Sequence, residues 1–342
     1  MVTPWRMPAE TDPHERLWMA FPRPNVTFGA EQPEEESVAW AAVANAVVAF
    51  EPVSMLVDPV ALPTARRLLD PSITLVEQEL DDAWLRDSGP TFVVDDGGRL
   101  GAVDWSFNGW GDHEWAPWAK DRLVGAAVGS AAGAEVIPSL LVNEGGGIHV
   151  DGEGTVLLTD TVQLDPRRNP YADRARVEAE LARTIGATHA IWLPRGLTRD
   201  YERFGTSGHV DICATFPSPG RVLLHEQRDP GHPDHAVSAL LRATLEQAVD
   251  AAGRSLEIVP LPAPTTRRDA EGFVDWSYVN HVVVNGGVIA CGFGEERADA
   301  VARDVLAEAY PGRRVVSVDA RAIFACGGGI HCITQQQPLV RA

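Results

Sequence analysis

A pattern of strand, tight turn and strand recurs along this chain of 342 residues and limits the folds that it can adopt. In each copy, two short β-prone runs flank a turn rich in glycine, proline, asparagine or aspartate, which is typical of a β-hairpin. The copies lie at residues 91–103, 148–158, 210–224 and 279–290. Their turns follow one another at intervals of about 55–70 residues, so a repeated structural unit is expected.

One helix and one further strand are predicted between successive hairpins. Residues 172–184 and 236–252 are predicted as helices, and residues 190–192 and 256–259 as the strands that follow them. Ahead of the first hairpin, the pattern predicts helices at 38–50 and 64–69 and strands at 53–57 and 73–76. A fifth unit would form if residues 330–334 paired with residues 17–21 and closed a ring. We therefore predict a single domain, residues 1–342, of repeated ββαβ units around a central axis.

The first strand of each predicted hairpin begins beside a polar side chain. These residues are Asp87, Glu144, His209 with Asp211, Asn280 and Cys332. Equivalent positions of like units converge near the axis of a ring, so a cysteine, a histidine and three carboxylates are expected to share one cleft. His209 and Asp211 alternate along a predicted strand and would therefore point to the same face.

Cys332 follows three consecutive glycines, residues 327–329. Glycines allow a tight turn and a close approach to a ligand, which would suit a reactive thiolate. The alternative is a cysteine buried as a small hydrophobic residue, the role expected for Cys213, Cys291 and Cys326. His331 would point away from Cys332 on a strand, and His149 would lie on a hairpin surface. The cysteine spacing indicates neither a zinc site nor a disulfide framework, so no metal or other cofactor is predicted.

The charge of the chain favours one class of partner. It carries 48 acidic and 29 basic residues, a net charge of −19, which disfavours nucleic acid and anionic membranes and favours a small cationic substrate. The alternative is that the acidic surface serves solubility. No apolar run reaches the roughly 18 residues of a membrane span, and residues 1–6 lack the features of a signal peptide, so a cytoplasmic protein is expected. A homo-oligomer is compatible with the sequence, which does not define the oligomeric state.

Several motifs, in order, resemble those of the agmatine deiminase family, within the pentein superfamily of guanidino-group-modifying enzymes and its peptidyl-arginine deiminase-like branch. They lie at residues 7–10 (Met-Pro-Ala-Glu), 84–90, 107–111, 144–146, 151–155, 208–211 (Gly-His-Val-Asp) and 327–338. The resemblance implies a five-bladed α/β propeller. It also implies that Cys332 is the nucleophile, that His209 and Glu144 are the acid–base pair, and that Asp87 and Asp211 hold a guanidinium.

The activity that this resemblance implies is hydrolysis of agmatine to N-carbamoylputrescine and ammonia, in putrescine synthesis, through an S-alkylthiouronium on Cys332. Trp84 and Trp110 are assigned to substrate binding, Trp110 because tryptophan faces attract ammonium groups. In this chain Asp112 and His113 follow Trp110-Gly111, where the family usually has another glycine, and this departure bears on selectivity for agmatine.

Alternatives remain open for both residues and function. Glu144 could cap the glycine turn that follows it, and Arg86 is expected to be a structural ion-pair partner. The chain could instead deiminate free or peptidyl-arginine, transfer an amidino group, or bind a guanidinium without catalysis.

Overall fold

The computed structural model describes residues 5–29, 31 and 33–340. Within them the chain forms five small sheets, four with three strands and one with four. Most of the N-terminal segment that was compared with a signal peptide, residues 1–4, lies outside the described residues.

The first unit contains two helices that connect parallel strands. In chain order its elements are β1 (His14–Ala20), α1 (Glu34–Val47), β2 (Val53–Val57), α2 (Leu62–Leu68) and β3 (Thr74–Glu77). Strand β2 pairs in parallel with both β1 and β3. Because parallel neighbours need a crossover connection, the two helices lie between successive strands of this sheet.

Each of the next units begins with an antiparallel hairpin and adds a parallel strand after a helix. The second unit has α3 (Leu85–Ser88), β4 (Thr91–Val94), β5 (Leu100–Ser106), α4 (Gly109–Asp112), α5 (Val124–Ala131) and β6 (Glu135–Val142). The third has β7 (Ile148–Val150), β8 (Thr155–Thr159), α6 (Asp160–Gln163), α7 (Arg174–Ile185) and β9 (His189–Leu193). The predicted ββαβ repeat is therefore confirmed.

The last two units follow the same order. The fourth has β10 (Ala214–Ser218), β11 (Arg221–Glu226), α8 (Pro233–Glu246) and β12 (Glu257–Pro262). The fifth has β13 (Val282–Val284), β14 (Gly287–Gly292), α9 (Glu296–Ala309) and β15 (Arg314–Asp319), after which come α10 (Arg321–Phe324) and β16 (Thr334–Pro338).

The C-terminal strand completes the first sheet. Strand β16 pairs antiparallel with β1, from Thr334 opposite Met19 to Pro338 opposite His14. The predicted closure of a ring by the two ends of the chain is confirmed in this pairing, although the strand begins at Thr334 rather than at residue 330. The fold is a mixed α/β arrangement of five pseudo-repeats, as expected for a pentein propeller.

Helix α7 shows why the helices cover the sheets. Val177, Leu181 and Ile185 recur every four residues, lie on one face of the helix and are buried. Each such side chain contributes roughly 1.5–3 kcal/mol by leaving water. The helix ends at Gly186, whose φ of +70° places it in the left-handed conformation that commonly follows a helix. Within the described residues, no helix has both the length and the apolar composition needed to cross a membrane.

The segments that open the hairpins differ from the prediction. Val210–Ile212 forms a 3-10 turn, as does Gly145–Gly147, while Leu85–Ser88 is a single helical turn. Residues 330–333 lie in a turn that ends where β16 begins. The inference that His209 and Asp211 alternate on a strand is therefore wrong, because the chain turns at these residues before entering the strand. The polar residues consequently lie on turns at the strand ends, where side chains from different sheets can meet.

Candidate active site

The turns that precede the hairpins bring the polar residues predicted from the sequence into one buried cluster. Its members are Asp87, Glu144, His209, Asp211, Asn280 and Cys332, and each is at most 6% exposed. The expected convergence of equivalent positions is observed, although the roles of the individual residues stay predictions.

Cys332 lies against polar partners on one side of this cluster. Its Sγ accepts hydrogen bonds from Nδ2 of Asn280 at 3.3 Å and from the backbone N–H of Gly329 at 3.4 Å. The Sγ atom is also 3.6 Å from Oδ2 of Asp211. Burial and the charges of Asp211 and Asp87 raise the pKa of the Cys332 thiol well above its ordinary value. The hydrogen bonds from Gly329 and Asn280 lower this pKa but are outweighed. Cys332 is therefore a thiol at neutral pH in this arrangement of charges.

The glycines before Cys332 are required by close contacts. A Cβ at Gly327, where φ is +108°, would lie 2.5 Å from the carbonyl oxygen of Phe204. A Cβ at Gly328 would lie 2.7 Å from the ring of Trp84 and 3.1 Å from Sγ of Cys332. These contacts exclude larger residues and place Trp84 beside the cysteine turn. Trp84 is itself buried and makes an edge contact with Trp40 at 5.4 Å between ring centroids.

His209 lies between two carboxylates. Its Nε2 is 3.4 Å from Oε2 of Glu144, and its Nδ1 is 3.8 Å from Oδ1 of Asp87. Burial alone would lower the pKa of His209, but Asp87, Glu144 and Asp211 together raise that pKa to about 9. Nδ1 has no hydrogen-bond partner among the described residues. His209 is therefore an imidazolium at neutral pH, with one N–H available to a ligand.

Glu144 is paired with an arginine that the sequence analysis did not identify. Nε of Arg168 donates to both oxygens of Glu144, at 2.9 and 3.1 Å, and the arginine side chain is fully buried. Burial would raise the pKa of Glu144, but Arg168 and His209 lower it to about 2. Arg168 also donates to the carbonyl oxygen of Thr206, three residues before His209. These contacts hold Glu144 ionised beneath His209 and argue for more than a turn-capping role.

Asp87 receives hydrogen bonds from two different loops. Its Oδ2 accepts from Nε1 of Trp110 at 2.9 Å, and its Oδ1 accepts from the N–H of Gly146 at 3.1 Å. Burial raises the pKa of Asp87 to about 6, although His209 acts in the opposite direction. Trp110 is buried, and its ring is stacked on Trp115. Its polar N–H group is therefore used in the contact with Asp87.

Asp211 has one occupied and one free carboxylate oxygen. Its Oδ2 accepts from Nδ1 of His331 at 2.8 Å, whereas its buried Oδ1 has no partner among the described residues. Burial would raise the pKa of Asp211, but His331, His209 and Arg86 lower it. Asp211 is therefore ionised and can accept from a cationic ligand.

Gly146 shows that three of these groups face one point. A Cβ built there would lie 2.5 Å from Nδ1 of His209, 3.0 Å from Oδ2 of Asp211 and 3.0 Å from Oδ1 of Asp87. The carboxylates of Asp87 and Asp211 and the Nδ1–H group of His209 therefore all face the same position, which is left open because residue 146 has no side chain. A planar cation with several N–H groups matches such an arrangement, because charge-assisted hydrogen bonds to carboxylates are strong and directional.

Three expectations about neighbouring residues are corrected. His331 was expected to point away from Cys332, but the turn at residues 330–333 directs its ring to Oδ2 of Asp211, the oxygen that Sγ of Cys332 also approaches. His149 is buried rather than on a surface, with Nε2 2.6 Å from Oγ1 of Thr215. Arg86 is buried, and the hydrogen bonds described for its guanidinium go to the carbonyl of His331 and to Gln336 rather than to a carboxylate.

One cluster has the spacing of metal ligands, although the sequence indicated none. Ligand atoms of Glu10, His149 and His331 lie within 4.8 Å of one another, and all three residues are buried. They come from three distant segments, so no local cysteine or histidine motif could reveal them. One hydrogen bond lies within the cluster, between Nε2 of His331 and Oε2 of Glu10 at 3.0 Å, while Nε2 of His149 is 3.7 Å from the same oxygen.

Two loops with unusual backbone conformations cover the cluster. Among the described residues, the non-glycine positions with positive φ are Trp110, Asp112, Phe204 and Ser207. Trp115 connects the two loops, because it stacks on Trp110 and makes an edge contact with Phe204 at 5.1 Å between ring centroids. Such conformations are costly and often occur at functional sites, where the surrounding contacts enforce them.

Comparison with known proteins identifies similar sequences over almost the whole chain. The profile of the Porphyromonas-type peptidyl-arginine deiminase family matches residues 6–338. A protein of Streptomyces coelicolor is 57% identical over 336 residues, which are 98% of this chain and 99% of that protein. An agmatine deiminase of Stutzerimonas stutzeri is 41% identical over 356 aligned residues, covering 97% of this chain and 95% of that protein.

A solved structure has the same fold. The agmatine deiminase of Enterococcus faecalis superposes with a TM-score of 0.92 at 32% sequence identity. The superposition covers 98% of this chain and 96% of the other.

Proposed function

Because this chain belongs to the Porphyromonas-type peptidyl-arginine deiminase family, we propose that it is an agmatine deiminase that hydrolyses agmatine to N-carbamoylputrescine and ammonia. One observation carries the assignment: Asp87, Asp211 and His209 face a single buried point, and Cys332 lies beside Asp211. The contributing residues come from segments between Glu10 and Cys332, which supports one catalytic domain across residues 1–342.

The first step is capture of the guanidinium by two carboxylates. The free Oδ1 of Asp211 and the second lone pairs on the oxygens of Asp87 accept N–H groups of the planar cation. Two carboxylates fix the orientation of the plane, so the central carbon is presented to Sγ of Cys332. A guanidinium carbon is a weak electrophile, and this alignment offsets part of that disadvantage.

Binding of the cation also prepares the nucleophile. The carboxylates of Asp211 and Asp87 raise the pKa of the Cys332 thiol in the unliganded cluster. A positive charge between them opposes this effect, because a neighbouring cation stabilises a thiolate. Asn280 and Gly329 already donate to Sγ and favour the same anionic form. The thiolate therefore forms when substrate is present, as the thiol proton passes to solvent water, and Cys332 takes a proton back from water when the products leave.

Attack and departure of ammonia use the proton of His209. The Cys332 thiolate forms a C–S bond to the guanidinium carbon and gives a neutral tetrahedral adduct. His209, as imidazolium, transfers its Nδ1 proton to one amino group, the C–N bond breaks, and ammonia leaves. The products of this step are an S-alkylthiouronium on Cys332 and neutral His209.

Hydrolysis of the adduct restores both residues. Neutral His209 removes a proton from water, and the resulting hydroxide adds to the thiouronium carbon. The C–S bond then breaks, Cys332 leaves as thiolate, and the protonated urea gives its proton to the ammonia released earlier. Glu144, held ionised by Arg168, stabilises the imidazolium in each half of the cycle. None of these steps requires a metal or another cofactor, and the urea product is the N-carbamoylputrescine of putrescine synthesis.

The covering loops supply groups suited to the amine at the other end of agmatine. Asp112 and Glu114 are exposed, and Trp115 is half-buried between Trp110 and Phe204. Acidic groups and aromatic faces both attract ammonium, the latter by about 0.5–2 kcal/mol depending on desolvation. A carboxylate-bearing substrate such as arginine would be repelled by the same acidic groups.

Ammonia release from agmatine, arginine, an N-acyl-arginine amide and n-butylguanidine tests the proposal. The kcat/KM for agmatine is expected to exceed that for n-butylguanidine at least tenfold, a difference of about 1.4 kcal/mol in transition-state binding. A clear preference for arginine or its amide would assign a different guanidino substrate. The Cys332→Ser variant controls for ammonia released by other enzymes in the preparation.

A further inference from the structure

A chain of three buried side chains extends from the proposed guanidinium position to the N-terminal segment. Asp211 accepts from Nδ1 of His331 at 2.8 Å, and Nε2 of the same imidazole is 3.0 Å from Oε2 of Glu10. The side chains of His331, Asp211 and Glu10 are 5%, 1% and 6% exposed. Water has little access to these contacts, so each retains most of its electrostatic strength.

Glu10 is fixed from its other side. Its Oε1 accepts from the backbone N–H of Val283 in β13 at 2.7 Å, so the carboxylate connects this strand to the turn before β16. With Oε1 occupied in this way, Oε2 is directed at Nε2 of His331. Both ring nitrogens of His331 consequently face a carboxylate oxygen, which is the environment of an imidazolium that donates twice.

The charges around His331 agree with this description. The titratable or charged groups that act on it or border it are Glu10, Asp211, Arg86, His149, His281 and Cys332. Burial and Arg86 lower the pKa of His331, but Glu10 and Asp211 raise it above its ordinary value. The pKa of His149 is lowered by burial, as is that of His281, which is about 4, so both stay neutral near pH 7. The pKa of Glu10 lies well below its ordinary value because His331 and His149 outweigh its burial.

We propose that His331 is a positioning residue for deimination: held as an imidazolium by Glu10, it fixes Oδ2 of Asp211 and leaves the unpaired Oδ1 to accept from the guanidinium. The inference rests on the proposed function, to which it adds two residues that need not touch the substrate. Without the Nδ1–H donor, Asp211 could rotate and use either oxygen for other partners. The orientation of the bound guanidinium against Cys332 would then be lost.

Two substitutions of His331 separate this role from a general structural one. In His331→Asn the amide nitrogen lies near the position of Nδ1 and can still donate to Asp211, whereas the contact with Glu10 is lost. In His331→Gln the amide nitrogen reaches the position of Nε2, so Glu10 keeps a donor and Asp211 loses one. The two variants are similar in polarity and remove the same positive charge.

The expected result is a clear ranking of the two variants. We expect His331→Gln to have at least tenfold lower kcat/KM for agmatine than His331→Asn, with KM rising more than kcat falls, because Asp211 binds the substrate guanidinium. Equal losses, or a greater loss in His331→Asn, would overturn the proposal.

The protonation of His331 can be measured without turnover. In enzyme labelled with 15N-histidine, assigned by comparison with His331→Asn, both ring nitrogens of His331 should carry protons from pH 6 to 8. Glu10→Gln is expected to abolish this doubly protonated form: the amide oxygen must accept from Val283, so its NH2 group faces Nε2, which then carries no proton. A neutral His331 in the wild-type enzyme would overturn the inference.

The kinetic assay and the 15N spectrum distinguish a failure of the proposed function from a failure of the role proposed for His331. If the wild-type enzyme released no ammonia from any guanidine, the proposed function would fail, while the resonances of His331 in the resting enzyme would still decide its charge. If one of the two His331 variants did not fold, as judged by circular dichroism, the other would supply the assignment, and the wild-type spectrum would remain decisive.

Discussion

The indole Nε1 of Trp110 donates to Oδ2 of Asp87 at 2.9 Å, which connects a covering loop to a carboxylate of the proposed guanidinium site. Trp110 has a φ of +56°, an uncommon conformation for such a large residue. The same ring is stacked on Trp115. The covering loop therefore helps to determine how Asp87 is presented to a substrate.

Replacing this tryptophan by phenylalanine tests the contact. Trp110→Phe keeps an aromatic ring but removes the donor to Asp87, and a hydrogen bond to a charged group contributes about 1.5–3 kcal/mol. We expect kcat/KM for agmatine to fall roughly tenfold or more. The pKa of Asp87, about 6 in the wild-type protein, should rise because it loses a donor. The acidic limb of the pH profile should therefore move to higher pH.

The matched control is Trp115→Phe. Trp115 belongs to the same loop and the same aromatic stack, but the described hydrogen bonds to Asp87 come from Trp110 and Gly146. The kcat/KM profile of Trp115→Phe should therefore have its acidic limb at the same pH as the wild-type profile. Equal shifts in both variants would show that the loop, and not the indole N–H, controls Asp87.

Glu144 is expected to set the upper pH limit of activity. Cleavage of the C–N bond requires protonated His209, and its pKa of about 9 keeps it protonated at all pH values below that. In Glu144→Gln the stabilising negative charge is removed, so the pKa of His209 falls towards its ordinary value of about 6.5. We predict that the basic limb of the kcat/KM profile moves to lower pH.

The position of the limb is the informative measurement, not the level of activity. Glu144→Gln also leaves the charge of Arg168 buried without its partner, which can cost about 3–5 kcal/mol of folding stability. Thermal unfolding of the same samples would define the temperature at which the profile can be recorded. An unchanged basic limb in folded protein would exclude Glu144 as the group that stabilises the imidazolium.

Gly146 provides a steric test of the cluster. Alanine at this position would place a methyl group 2.5 Å from Nδ1 of His209 and 3.0 Å from oxygens of Asp87 and Asp211. We expect Gly146→Ala to reduce kcat/KM by at least a hundredfold, about 2.7 kcal/mol, because the methyl group occupies the point on which the three groups converge. Gly97→Ala is the control, since Gly97 is exposed in the turn between β4 and β5 and its φ is not positive. Wild-type activity in Gly146→Ala would place the substrate elsewhere.

Chelation tests whether the cluster of Glu10, His149 and His331 matters as a metal site. The proposed reaction uses a thiolate, an imidazolium and two carboxylates, so prolonged incubation with EDTA should leave kcat unchanged. Loss of activity that a divalent cation restores would mean that these buried ligand atoms, within 4.8 Å of one another, hold a metal that the reaction needs.

The repeat was visible in the sequence because its signal is local. A glycine-rich turn flanked by β-prone residues, such as the turn before Thr155, indicates a hairpin from local sequence alone. Strand β8 accordingly begins at Thr155, as predicted. The boundaries that failed, at residues 210–212 and 330–333, lie shortly after glycines. Val210 and Ile212 have high strand propensity, but the chain turns there because Asp200 accepts from the N–H groups of Gly208 and His209. That contact comes from a preceding loop and leaves no local pattern.

The residues of the cluster could be predicted from the sequence, whereas the residues that hold them in place could not. Cys332, His209 and the carboxylates occupy equivalent positions of a repeat, so convergence could be inferred from order alone. Arg168, Glu10 and His331 support the cluster through contacts between distant segments, such as that between His331 and Glu10, which are 321 positions apart. An alternation rule placed His331 on the wrong face because it assumed a strand, whereas the glycines at 327–329 extend the turn to residue 333.

Trapping the covalent intermediate tests the mechanism most directly. Wild-type enzyme quenched with acid during turnover of agmatine should gain the mass of agmatine less ammonia, and fragmentation should locate this mass on the peptide that contains Cys332. Cys332→Ser should bind agmatine, release no ammonia and gain no mass. An adduct on another residue, or turnover by Cys332→Ser at the wild-type rate, would contradict covalent catalysis by Cys332.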